Sequence, residues 1–123
     1  MTIRAALRIA ALLASLACGG RSTAELPGPM SRTVVRVINH NTLDMHVYAI
    51  TGSQMQSLGV VSSLSQAAYE LPAHAVATGD VRIFADPIGA RTGYITDRIV
   101  FSPGDQVEVT IENNLALSNY VVR

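Results

Sequence analysis

Two histidines and an aspartate fall within seven residues, in His40-Asn41-Thr42-Leu43-Asp44-Met45-His46. Imidazole nitrogen suits Zn²⁺ and Cu²⁺, and a nearby carboxylate can complete such a ligand set. A strand over residues 42–50 would put Asp44 and His46 on one face, two residues apart, with His40 in the preceding turn folding over them. The same alternation turns Met45 inward beside Leu43 and Val47, which makes it core rather than a thioether ligand. The bland reading is a solvated polar face carrying an Asp–His pair, and no HxxxH-type or repeated ligand pattern speaks against it.

A second group could recognise a partner. Arg and aromatic side chains are enriched at interfaces, and Arg36, Arg82, Arg98, Tyr48 and Phe84 all fall on faces that alternation assigns to solvent. Phe84 is the sharpest of these, being large and apolar on an outward position, with Arg82 beside it and Arg36 on an earlier strand. Asp80, Asp86, Asp97 and Asp105 sit at or near strand ends, where carboxylates either gather around Ca²⁺ or cap turns. Signals for catalysis are weak. The chain has no Gly-x-Ser-x-Gly segment and no glycine-rich phosphate loop. Glu108 and Glu112 are four residues apart, roughly 13 Å along a strand, too far for paired-carboxylate chemistry. No catalytic residue and no cofactor is expected.

Strands must position these residues. From Thr33 onward the hydrophobic period is two: Val35 and Val37; Leu43, Met45, Val47 and Ala49; Leu58 and Val60; Ala67, Tyr69 and Leu71; Val81, Ile83 and Ala85; Ile99 and Phe101; Val107, Val109 and Ile111; then Leu115 to Val122. Turn-prone clusters separate them, including Asn39-His40-Asn41, Thr51-Gly52-Ser53, Ala77-Thr78-Gly79-Asp80 and Ser102-Pro103-Gly104-Asp105. Asn113-Asn114 fits a two-residue type I′ hairpin loop, because Asn tolerates positive φ. Nothing after residue 32 carries a sustained helical period. The pattern predicts an all-β domain over 33–123, a small antiparallel β-sandwich of seven or eight strands, immunoglobulin-like or transthyretin-like.

Composition narrows the function. The 123 residues carry nine basic and nine acidic side chains, every basic one an Arg. Without a basic excess there is no electrostatic footprint for nucleic acid. One Cys excludes an internal disulfide.

That Cys closes a distinctive N-terminus. Arg4 and Arg8 precede an uncharged Ala- and Leu-rich run from Ile9 to Ala17, too short to span a bilayer and typical of a secretory signal peptide. Ser15-Leu16-Ala17-Cys18-Gly19 resembles the lipobox of bacterial lipoproteins, with Ser15 where that family commonly has Leu. The resemblance implies cleavage before Cys18, so that residues 1–17 are removed and Cys18 is acylated on its sulfur and its new amino group. More than one acyl chain makes such an anchor stable. Gly19 rather than Asp after the Cys leans, by the same resemblance, toward the outer membrane. Ser15-x-Ala17 also fits ordinary signal cleavage, which would leave Cys18 a free thiol. Residues 18–32, rich in Gly, Ser, Thr and Pro, read as a flexible linker. Removal of Arg4 and Arg8 leaves seven Arg against nine acids, a mildly acidic mature chain. The sequence therefore predicts an exported, lipid-anchored cell-envelope protein with a non-catalytic interaction or ligand-binding domain. The alternative is a small periplasmic metal-binding protein using His40, Asp44 and His46.

Overall fold

Strict alternation in Val34–Asn39 (β1) and Gln106–Ile111 (β8) gives each strand one apolar face, and the two faces meet the core together. The computed structural model describes residues 32–123. The expected signal peptide 1–17, Cys18 and the linker up to residue 31 lie outside the described residues. The other elements are β2 (Met45–Thr51), β3 (Gln54–Val61), β4 (Gln66–Glu70), a short helix α1 (Ala73–Thr78), β5 (Asp80–Pro87), β6 (Tyr94–Ile95), β7 (Ile99–Val100) and β9 (Asn119–Val122).

They form a β-sandwich, as the sequence predicts. One sheet has the order β4-β1-β8-β9 and the other β3-β2-β5-β6, with β7 on β5 beyond β6. Inward residues of the two sheets make one core: Val35, Val37, Val107, Val109 and Ile111 face Met45, Val47, Ala49, Val81, Ile83 and Ala85. Met45 is wholly buried, as expected. One pairing departs from the antiparallel expectation. β1 and β8 run parallel at the centre of their sheet, Val34 beside Gln106 and Val37 beside Val109.

Three local features differ from the sequence reading. Leu43 precedes β2 and is exposed, because Asn39 and Asn41 hold residues 40–44 as a loop. Ala73–Thr78 is a helix of six residues, too short for a period to show; Ala75 is its buried residue. The β8–β9 connection is not a two-residue type I′ loop. Asn114 has φ −90° and its side chain accepts from Ala116 N–H to cap a 3-10 turn at Leu115–Leu117.

Tyrosines close the open flanks of the sandwich. The Tyr69 ring lies so close to Gly59 that a Cβ there would sit 2.8 Å from a ring carbon, so only glycine fits. Tyr94 and Tyr120 pack on the core from β6 and β9. Burial raises the Tyr69 phenol above its ordinary value, and burial, then Asp97 and Tyr120, raise that of Tyr94. Both phenols thus hold their protons more tightly folded than unfolded. Their contribution to stability is complete below pH ~10 and is lost as pH rises through the higher folded values. Alkaline titration of stability is expected to fall more shallowly in a Tyr69→Phe/Tyr94→Phe variant; an unchanged slope would refute the assignment. The Tyr69 hydroxyl is buried without a hydrogen-bond partner among the described residues.

Leu64 is the one non-glycine residue at positive φ among the described residues, at 55°, and its side chain is exposed. Left-handed backbone costs an L-residue about 1–2 kcal/mol, and Asn tolerates it best after Gly. Leu64→Asn is therefore expected to raise stability by about 0.5–1 kcal/mol in urea unfolding.

Candidate functional site

The two outer faces of the sandwich differ in chemistry. On the β4-β1-β8-β9 sheet, the outward side chains are mostly polar, Gln66 and Glu70, Arg36, Gln106, Glu108 and Thr110, with the aliphatic Val34, Ile38, Ala68 and Val121 among them and, within the described residues, no aromatic ring. Arg36 Nε donates to Gln66 at 3.0 Å. Arg123 pairs with the half-buried Glu108 at 3.4 Å and Arg32 with Glu70 at 3.8 Å, both arginines being exposed. Exposed pairs of this kind contribute little to stability.

The other sheet presents rings and aliphatics. Register sets its outer face in three rows. Val60, His46 and Asp86 form one; Ser57, Tyr48, Phe84 and Ile95 the next; Met55, Ile50 and Arg82 the last. The rings of His46 and Tyr48 stack with centroids 4.3 Å apart, and those of Tyr48 and Phe84 with centroids 5.9 Å apart, each pair tilted by 26°. His46 is held at both nitrogens: Nε2 shares a hydrogen bond with Ser57 Oγ at 2.7 Å and Nδ1 one with Tyr48 OH at 3.0 Å. Phe84 lies flat because β6 is entered through Gly93, where a Cβ would meet the ring at 2.8 Å. Met55, Val60 and Ile95 flank the rings, 52%, 50% and 47% exposed. The result is a flat aromatic strip with hydrogen-bonding groups along it and aliphatic side chains at its margins.

Two breaks in regularity build this face. β3 carries one extra residue, Leu58, where the register with β2 shifts between Val47 and Tyr48. The bulge lets Met55, Ser57 and Val60 all face outward, although a regular strand would send residues five apart to opposite sides. Gly93 provides the other break, by allowing β6 to approach β5 beneath Phe84.

The residues singled out from sequence are distributed across the molecule. Phe84 and Arg82 share the aromatic face, whereas Arg36 lies on the outer face of the opposite sheet. Phe84 and Arg82 therefore share one outer face, and Arg36 is not part of it. His40, Asp44 and His46 do not come together. His40 Nδ1 binds Glu112 at 2.7 Å, at the end of β8. Asp44 lies in the loop before β2, where its carboxylate accepts from Ser63 N–H at 2.8 Å. Only His46 is on the strand, committed to Ser57 and Tyr48. Among the described residues no three His, Cys, Asp or Glu side chains are grouped as a metal ion requires. The four aspartates are equally dispersed: Asp80 pairs with Arg98 at 2.6 Å and Asp105 caps Ser102 N–H at 2.8 Å, which is the turn-capping role.

The sequence pattern does not set apart Ser57, Met55, Val60 and Ile95, which join the aromatic face. Of β3, only the run at Leu58 and Val60 stands out by hydropathy, and Ser57 gains its place through the bulge. A usable signal was present nonetheless: residues 45–69 contain no Asp, Glu, Lys or Arg.

No protein-family model and no curated protein matches the chain. Among solved structures, a protein from Eubacterium rectale determined by NMR is similar with a TM-score of 0.42 and 13% identity, over 76% of this chain and 87% of that one.

Proposed function

We propose that this chain is an exported bacterial lipoprotein whose β-sandwich is a non-catalytic recognition module, held at the periplasmic side of the outer membrane or at the cell surface through acylated Cys18. The anchor reading rests on the charged start, short apolar run and lipobox-like Ser15-Leu16-Ala17-Cys18. It also gives the lone Cys a role. Intact mass of the membrane-extracted chain tests it. Loss of residues 1–17 with added acyl mass, abolished by Cys18→Ala, is the expected result. A mature mass without acyl groups overturns it.

The recognition reading rests on one observation: the contrast between the aromatic face and the polar face opposite. Exposed aromatic and aliphatic side chains gathered on one surface, with hydrogen-bonding groups among them, mark interaction sites. A planar or apolar group laid on the strip could stack on Tyr48 and Phe84 while His46, Ser57 and Arg82 fix its orientation. A photoreactive residue at position 48, compared with one at position 36, tests this in intact cells. Cross-linking to a discrete envelope component from position 48 and none from position 36 is expected. Equal products from both, or none from either, would refute the reading.

A further inference from the structure

β3 ends its sheet, and among the described residues nothing pairs with its outer edge. A free strand edge is a template for another strand, and folded proteins normally guard it with charge, proline or brevity. The other edges here are guarded. β4 has five residues and ends at Glu70, which pairs with Arg32. β9 has four residues and is followed by Arg123, and β6 and β7 have two each. β3 is different: eight residues, Gln54-Met55-Gln56-Ser57-Leu58-Gly59-Val60-Val61, with no charge and no proline. Its first four residues are exposed.

We infer that two copies of this chain pair antiparallel through β3. Charge selects this occupant. No Asp, Glu, Lys or Arg occurs from 45 to 69, so a charged partner strand finds no complement there and a second copy meets no repulsion. The bulge selects the register. A two-fold axis between Ser57 and Leu58 sets Met55 opposite Val60 of the second copy, Gln56 opposite its Gly59 and Gln54 opposite its Val61. In a regular strand, positions paired in this way would point to opposite faces. Here the extra residue at Leu58 puts Met55 and Val60 on the same outer face. These are the two half-exposed aliphatic side chains of the strand, 52% and 50% exposed. Each covers the other across the axis, at the roughly 5 Å Cβ spacing of opposed residues. The contact is isologous and closed, as a two-fold interface must be. It also sets two aromatic strips side by side on one continuous sheet.

Register-specific disulfides in the full-length chain provide the test. Met55→Cys/Val60→Cys is expected to give a covalent dimer on mild oxidation, as is a mixture of the two single variants. Neither single variant alone should do so, because like positions lie about 16 Å apart in this register. The wild-type chain, whose one Cys is Cys18, provides the background for any cross-link through that position. A folded double variant that stays monomeric overturns the pairing, as do single variants that cross-link as well as the double. Sedimentation of the unmodified chain gives an independent readout. A dimer that Met55→Lys/Val60→Lys converts to monomer supports the inference. A wild type that remains monomeric at every concentration overturns it, including the case in which residues 1–31 of the same chain cover the edge.

Discussion

Replacing Asn39 by alanine is expected to lower the stability of the domain by about 3–4 kcal/mol. Asn39 is fully buried at the end of β1. Its Nδ2 donates to Leu43 O at 2.9 Å, Ser62 O at 3.1 Å and Val61 O at 3.4 Å, and its Oδ1 accepts from Asn41 N–H at 2.9 Å. One side chain therefore satisfies main-chain groups of the β1–β2 loop and of the end of β3. Asn41 extends the arrangement, with Oδ1 accepting from Leu43 N–H and Nδ2 donating to Glu112 O. Truncation strands several main-chain groups away from water, at about 1–3 kcal/mol for each one left unpaired. Asn39→Asp is expected to be worse near neutral pH, because a carboxylate would face three carbonyl oxygens. Urea unfolding at constant m-value measures both. A loss below about 1 kcal/mol for the alanine variant would mean that water takes over the amide's bonds.

Gly93→Ala is the second large effect, about 2–3 kcal/mol of destabilisation. The added Cβ would sit 2.6 Å from Ala85 O and 2.8 Å from the Phe84 ring. The carbonyl belongs to the central strand β5 and cannot retreat, so β6, only two residues long, must move away. Phe84 then loses its support and its stacking on Tyr48. Stability and near-ultraviolet circular dichroism should change together. A stability loss with an unaltered aromatic signal would show that the ring is placed by Tyr48 rather than by Gly93. Photo-cross-linking from position 48 should weaken in the same variant.

The core was legible in the sequence because burial on one side of a strand imposes period two, and Val35, Val37, Val47, Ile83, Val107 and Val109 all keep it. Boundaries failed where side chains rather than hydropathy decide. Leu43 continues the apolar pattern, yet Asn39 and Asn41 bind the backbone around it and expel it from β2. The first half of β3 was missed because an exposed edge strand needs no apolar alternation. Of the predicted metal set, His46 is on the strand and His40 in the turn before it, but Asp44 is in the loop and the three side chains do not converge. Sequence proximity brought His40, Asp44 and His46 near one another, but His40 belongs with Glu112, 72 residues away. Phe84 and Arg82 lie on the outer face that alternation assigns them, because parity within one strand fixes it. Arg36 shares that parity, but parity does not say which sheet a strand joins.

The parallel β1–β8 pairing governs when the fold can be completed. Val34 waits for Gln106, and Asn39 for Ile111, so the centre of one sheet is a contact between the first and nearly the last of the described strands. Pairings of long sequence separation must close a large loop before any stabilisation is returned, and they form slowly. A chain emerging residue by residue therefore has only β1 and β4 of that sheet until β8 appears. For a polypeptide that we propose crosses a membrane before it folds, that late closure serves as a timer: it keeps the thread extended until nearly all of its length is available.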